Sequence, residues 1–344
     1  MTKQRRGSIL AAGALALALV AAACGGSDNT GGGGDGSSAP LTGKITISGS
    51  STVQPISSLV AELFNQDNPD VNITVDGPGT GDGFELFCKG ETDISDASRQ
   101  IEDEEKTACS DGGINYTELE IGLDGITVMV SPSSKIDCLT TQDLYAIFGP
   151  ESEGINTTGD ANALAKKVGG AGDMPDQPLE ITAPGEESGT YDAFIELSGI
   201  EDTALSNGVA AAKAAALRPD YQSSANDNVI IQAMEGSPNA IGFVGFAFAD
   251  KAGSSVKKVA IDAGDGCIEP SKDTIADGSY PLSRSLYIYP NTDTAKSNEA
   301  VKAYVDFYVS DTGLNDAVEQ ADYVPLPTDR QDATRSAWES ALGA

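Results

Sequence analysis

Histidine is absent from all 344 residues. That excludes Ser–His and Cys–His nucleophilic machinery, in which an imidazole takes the nucleophile's proton, and every metal site built on imidazole. Positive charge is scarce: 21 Lys and Arg stand against 52 Asp and Glu, for a net charge of −31. Repulsion makes nucleic acid and anionic lipid surfaces poor partners. No Cys-x-x-Cys occurs, so redox and zinc patterns are missing. No GK[ST] follows a glycine turn and no GxGxxG opens a helix after a strand, which argues against nucleotides. Neither a cofactor nor a metal is expected.

What is present begins with an export signal. Lys3, Arg5 and Arg6 precede an apolar run from Ile9 to Ala23, too short for a membrane span. It ends in "LVAAAC", which resembles a bacterial lipoprotein signal. The resemblance implies that residues 1–23 are removed and that Cys24 is acylated, anchoring the chain to the outer face of the cell membrane or in the periplasm. Residues 24–40 are rich in Gly and Ser, a flexible tether whose 16 residues after Cys24 span roughly 20–25 Å.

Four further cysteines, Cys88, Cys109, Cys138 and Cys267, read as two disulfides in an exported protein. Of three pairings, Cys88–Cys109 with Cys138–Cys267 is favoured, because neither bridge then crosses between the two domains inferred next.

From Leu41 onward, short β-branched runs alternate with helical stretches. "KITIS", "VNITVDG" and "ETDISDAS" read as strands, with "VQPISSLVAELFNQDN" and "GDGFELFCKG" as the helices between them. Strands separated by helices imply parallel βαβ units, whose ligands sit at the loops after the carboxyl ends of strands. Two long extended runs, Leu119–Pro132 and Ser283–Asn291, suggest crossovers between lobes. Residues 41–127 and 286–344 then form lobe I and residues 128–285 lobe II, each a sheet flanked by helices. At 344 residues the chain is long enough for two such cores. The segment Glu151–Gln177, rich in Gly, Asp and Asn, reads as a surface insertion.

Three glycine and hydroxyl turns stand at strand-to-helix junctions: "SGSSTVQP" from Ser48, "DGPGTGDG" from Asp76 and "PGEESGTYD" from Pro184. Glycine permits close backbone approach, and Ser or Thr supplies a hydroxyl and caps the helix. Helix N-termini attract anions, so the three turns are suited to converge on one small oxyanion. Distant acidic residues are screened within about 8 Å at physiological salt, so the acidic surface does not decide what a closed pocket holds. A fourth stretch, "ETDISDASRQI", brings Asp96 and Ser98 to one side by strand alternation, followed by Arg99, whose guanidinium suits a tetrahedral oxyanion. An ion pair of Arg99 with one of Glu102 to Glu105 is the competing reading.

Together "ITISGSSTVQPIS", "GPGTGDGFELFCKGETDISDASRQI" and "SGTYDAF" resemble the phosphate-binding protein of the bacterial high-affinity phosphate ABC transporter. That resemblance implies an α/β, two-lobed periplasmic-binding-protein type II fold, each lobe a mixed sheet flanked by helices and joined by two hinge crossovers. It also implies a monomer that closes over inorganic phosphate and is recognised by the membrane permease subunits. The residues carried over are Ser51, Thr52 and the N–H of Val53, then Thr80, and then Ser188, Gly189 and Thr190. Many relatives have an arginine where this chain has Pro184 and an aspartate where it has Ser98. Arg99 is therefore expected to supply the cation. Asp96 is expected to accept the proton that phosphate retains and sulfate lacks, with Asp192 or Asp124 as alternates. Another tetrahedral oxyanion, such as sulfate, molybdate or phosphonate, is the alternative ligand. A membrane-anchored phosphohydrolase or signalling module is a further alternative, disfavoured by the missing histidine.

Overall fold

The computed structural model describes residues 40–186 and 188–343. The signal segment, Cys24 and most of the tether lie outside the described residues. Strand β1 (Gly43–Gly49) leads through helix α1 (Gln54–Asp67) to β2 (Val71–Asp76), then through α2 (Thr80–Cys88) to β3 (Ile94–Ala97). β1 pairs in parallel with both β2 and β3, the arrangement that βαβ crossovers produce. In α1, Pro55 stands in the first turn, where a missing N–H costs nothing, and Ile56, Val60 and Phe64 at four-residue spacing form the buried face.

After α3 (Asp103–Asp111) the 12-residue strand β4 (Leu119–Val130) runs through both halves of the molecule. Its residues Leu119 to Gly125 pair with β7 (Ser283–Pro290), and Ile126 to Val130 pair with β6 (Ala240–Gly245), both antiparallel. β6 pairs in parallel with β5 (Glu180–Ala183). The strand order is β2–β1–β3–β7–β4–β6–β5, so the two long extended runs of the sequence lie side by side at the centre of a mixed sheet.

Separate cores on either side make the fold two-lobed. In the first, Ile45, Ile47, Val60 and Phe64 pack against Tyr304 and Trp338 from the C-terminal helices Glu299–Tyr308 and Thr328–Leu342. In the second, the Phe194 and Phe243 rings stack with centroids 3.8 Å apart and Phe148 meets Phe194 edge-on at 5.1 Å. Burying each such phenyl contributes about 1.5–3 kcal/mol. Disulfides join Cys88 to Cys109 and Cys138 to Cys267, the pairing favoured from the sequence.

The Glu151–Gln177 segment is not a surface insertion throughout. Its helix Thr158–Lys167 buries Ala161 and Ala165 completely, Met174 joins the second core, and the Asp143 carboxylate accepts the Gly172 N–H at 2.9 Å. Small alanines in a polar sequence produce a narrow apolar stripe that composition conceals.

Two glycines set the geometry of the first loop. A Cβ on Gly49, at φ +152°, would collide with the Asp96 carbonyl, and one on Gly83 would collide with the Gly49 backbone. Only glycine lets β1, β3 and α2 approach this closely. Among the described residues, no helix is long and apolar enough to cross a membrane.

Candidate functional site

A cavity of about 280 Å³ lies at the carboxyl ends of β1, β2 and β3, where the two lobes meet. That is roughly nine times the ~30 Å³ a water occupies in the liquid. The first lobe contributes Ser50, Ser51 and Thr52 just before α1, Gly79, Thr80 and Gly81 at the start of α2, and Ser98 with Arg99 after β3. Asp192 and Glu196, on helix Gly189–Leu197 of the second lobe, face them, and Arg284 from β7 completes the wall.

The first-lobe turns are organised by their own hydroxyls. Ser50 Oγ accepts the N–H of Thr52 at 3.2 Å and of Val53 at 3.4 Å, and the Ser50 N–H donates to the Asp96 carbonyl at 2.8 Å. Thr80 Oγ1 lies 3.1 Å from Ser98 Oγ and accepts the Ser98 N–H at 3.2 Å, tying the second turn to the third. The first-turn N–H groups of α2 have no partner within the helix, and α2 begins at the cavity.

Across the cleft, Ser188 caps its helix, its Oγ accepting the Thr190 N–H at 3.2 Å. Gly189 packs on the Ser51 backbone, where a Cβ would stand 3.4 Å from the carbonyl oxygen. The helix therefore approaches end-on, and its inward-facing Asp192 and Glu196 reach the wall while Ser188, Gly189 and Thr190 lie outside it. Val53 is fully buried, and its N–H is turned back to Ser50.

The two arginines differ. Arg99 lies in the wall, yet both its terminal nitrogens bond Glu105 at 2.8 Å and its Nε stands 3.2 Å from Glu102. The acids anticipated as competitors hold it. Arg284 was not singled out from the sequence. Its side chain is 9% exposed, and it donates to Glu196 at 2.6 Å and to Thr52 Oγ1 at 3.0 Å, with Asp124 at 3.4 Å from Nε. Strand register places Arg284 directly opposite Asp124. One buried guanidinium thus touches a loop of the first lobe and a helix of the second. A lone arginine inside the extended run "SRSLYIY" of a strongly acidic chain was the available signal.

The carboxylates also separate. Asp96 is completely buried and lies outside the wall; β3 ends at Ala97, so strand alternation does not carry through to Ser98. Burial pushes its carboxyl up to about 7, partly offset by the Ser57 hydroxyl. Asp192 does face the cavity. Burial raises its pKa, Arg284 opposes that rise, and Glu196 and Glu186 reinforce it. Asp124 is raised by burial against the pull of Arg284.

The arrangement offers donors from one lobe, carboxylate acceptors from the other and a buried cation between them, a set suited to a small protonated oxyanion. A family profile described as a PBP superfamily domain matches residues 35–312. The SphX protein of Synechocystis sp. is 35% identical over 285 residues, 82% of this chain and 78% of its own length. The phosphate-binding protein PstS of Staphylococcus saprophyticus is 34% identical over 303 residues, 88% of this chain and 86% of its own. The crystal structure of a possible phosphate binding protein from Planctomyces limnophilus superposes with a TM-score of 0.78 at 32% identity, over 88% of this chain and 99% of that one. The chain belongs to the PBP superfamily and, within it, to the PstS-like phosphate-binding proteins.

Proposed function

We propose that the protein captures inorganic phosphate in the interlobe cavity and delivers it to an ABC importer. The observation that carries this reading is the buried Arg284 guanidinium, set among the Ser50–Thr52 and Thr80–Ser98 hydroxyls at the junction of two lobes. Phosphate losing its hydration shell must regain hydrogen bonds, since each buried unsatisfied group costs roughly 1–3 kcal/mol. Arg284, the hydroxyls and the first-turn N–H groups of α2 act as donors, with Arg99 as a second cation at the rim. Asp192 accepts the proton that phosphate keeps at neutral pH. Sulfate has no such proton and meets two sets of lone pairs, so the same carboxylate rejects it.

The lobes of this reading are residues 41–127 with 286–344, and 128–285, hinged where β4 exchanges β7 for β6 at Gly125 and Ile126. Closure brings the helix Gly189–Leu197 onto the Ser51 loop and presents the shape that a permease recognises. Acylated Cys24 and its tether hold a monomer at the membrane. The role is binding rather than catalysis, in keeping with the phosphate-binding protein PstS and the phosphate transport receptor it resembles. Titration calorimetry with phosphate and sulfate tests the reading. Saturable heat from phosphate and none from sulfate is expected; equal binding of sulfate would overturn it in favour of a general oxyanion carrier.

A further inference from the structure

Asp96 has no exposed surface, and neither carboxyl oxygen has a partner within hydrogen-bond distance, since the neighbouring Ser57 hydroxyl, which pulls its pKa partway down, lies against Tyr308. Buried polar groups in folded proteins are almost always paired, so one left unpaired calls for a cause. This one sits directly behind the first anion loop. Its carbonyl accepts the Ser50 N–H, and Gly49 is pressed against its backbone. The groups that face it are Ser57 from the first turn of α1 and the phenols of Tyr304 and Tyr308 from helix Glu299–Tyr308. Ile288 of β7 is its partner in the sheet. The two phenols are engaged elsewhere: Tyr308 Oη lies 3.0 Å from Ser57 Oγ, and Tyr304 Oη donates to the Ser57 carbonyl. Burial and the neighbouring Asp96 push both phenols far above their ordinary range, so they stay neutral.

We propose that Asp96 is a positioning residue whose carboxyl must be neutral while the Gly49–Val53 loop holds an anion, so that capture of phosphate draws a proton from solvent onto Asp96. The inference rests on the phosphate reading above. An ionised carboxylate at this position would stand behind the same loop whose Ser50, Ser51 and Thr52 face the cavity from the front. Two anions on opposite faces of one loop repel strongly where water is excluded. Burial holds the Asp96 carboxyl up at about 7, where repulsion from an anion in front of the loop shifts its protonation most.

The test is phosphate calorimetry on the parent and on Asp96→Asn, in buffers of different ionisation heat. Phosphate's own titration is common to both proteins and cancels in the difference. The parent is expected to take up more protons per phosphate at pH 7 than Asp96→Asn. Its affinity relative to the variant should fall by about tenfold between pH 6 and pH 8.5, the effect of roughly one pKa unit of coupling. Equal proton counts and parallel pH profiles, with phosphate still bound, would overturn this proposal alone. A parent that binds no phosphate would overturn the functional reading as well. Should the variant not fold, infrared difference spectra of the parent decide: a protonated-carboxyl band gained on adding phosphate supports the proposal, and no such band refutes it.

Discussion

Each side of the cleft holds a carboxylate and an arginine, and the two pairs behave oppositely. On the first lobe, Asp96 is turned into the core and Arg99 is held by Glu105 and Glu102. On the other side, Asp192 faces the cavity, and Arg284 is buried while reaching both lobes. Strand alternation and the residue that follows it select the first pair; the pairing of β7 with β4 and the helix Gly189–Leu197 place the second pair at the void. Charge at a hinged site is most useful where both lobes touch it, because closing then completes its contacts.

Four substitutions break or sharpen that contrast. The largest effect is expected at Asp96 and concerns stability. Burial pushes its carboxyl up to about 7 from the ordinary 3.8 of an exposed aspartate, the value expected of the unfolded chain. The unfolded chain therefore loses its proton first, and stability falls as pH rises from about 4 to about 7. Over that window the parent should lose on the order of 4 kcal/mol that Asp96→Asn retains, as read by chemical unfolding at pH 4 and pH 8. Next, Arg284→Ala should weaken phosphate binding by roughly a hundredfold, since charge-assisted hydrogen bonds contribute about 1.5–3 kcal/mol each; calorimetry measures it. Asp192→Asn should cut the preference for phosphate over sulfate by about tenfold, as competition assays would show, because the amide donates to either anion. Arg99→Ala should change phosphate affinity by only about threefold, since a partly exposed, already paired cation contributes under about 1 kcal/mol. A hundredfold loss there with little effect at Arg284 would reverse the contrast.

Much of the fold is legible in the sequence because its signals are local. Alternating apolar runs with glycine turns mark β1, α1, β2 and α2, and all the small and hydroxyl residues that line the cavity except Ser98 lie in those turns. Arg284 is not legible in this way: its role depends on β7 pairing with β4, which sets it opposite Asp124 across 160 residues of chain. That Ser98, and not Asp96, reaches the cavity depends on where β3 stops, a boundary that neither composition nor periodicity fixes. The packing of Ala161 and Ala165 depends on what the second lobe presents to them.

A crystal structure grown with phosphate tests the central claim most directly. The account predicts the anion in the cavity, with an oxygen within hydrogen-bond distance of the Arg284 guanidinium, another near Thr52 or Thr80, and its proton directed at Asp192. Phosphate bound beside Arg99 alone, with Arg284 still held by Glu196, or bound outside this cavity altogether, would contradict it.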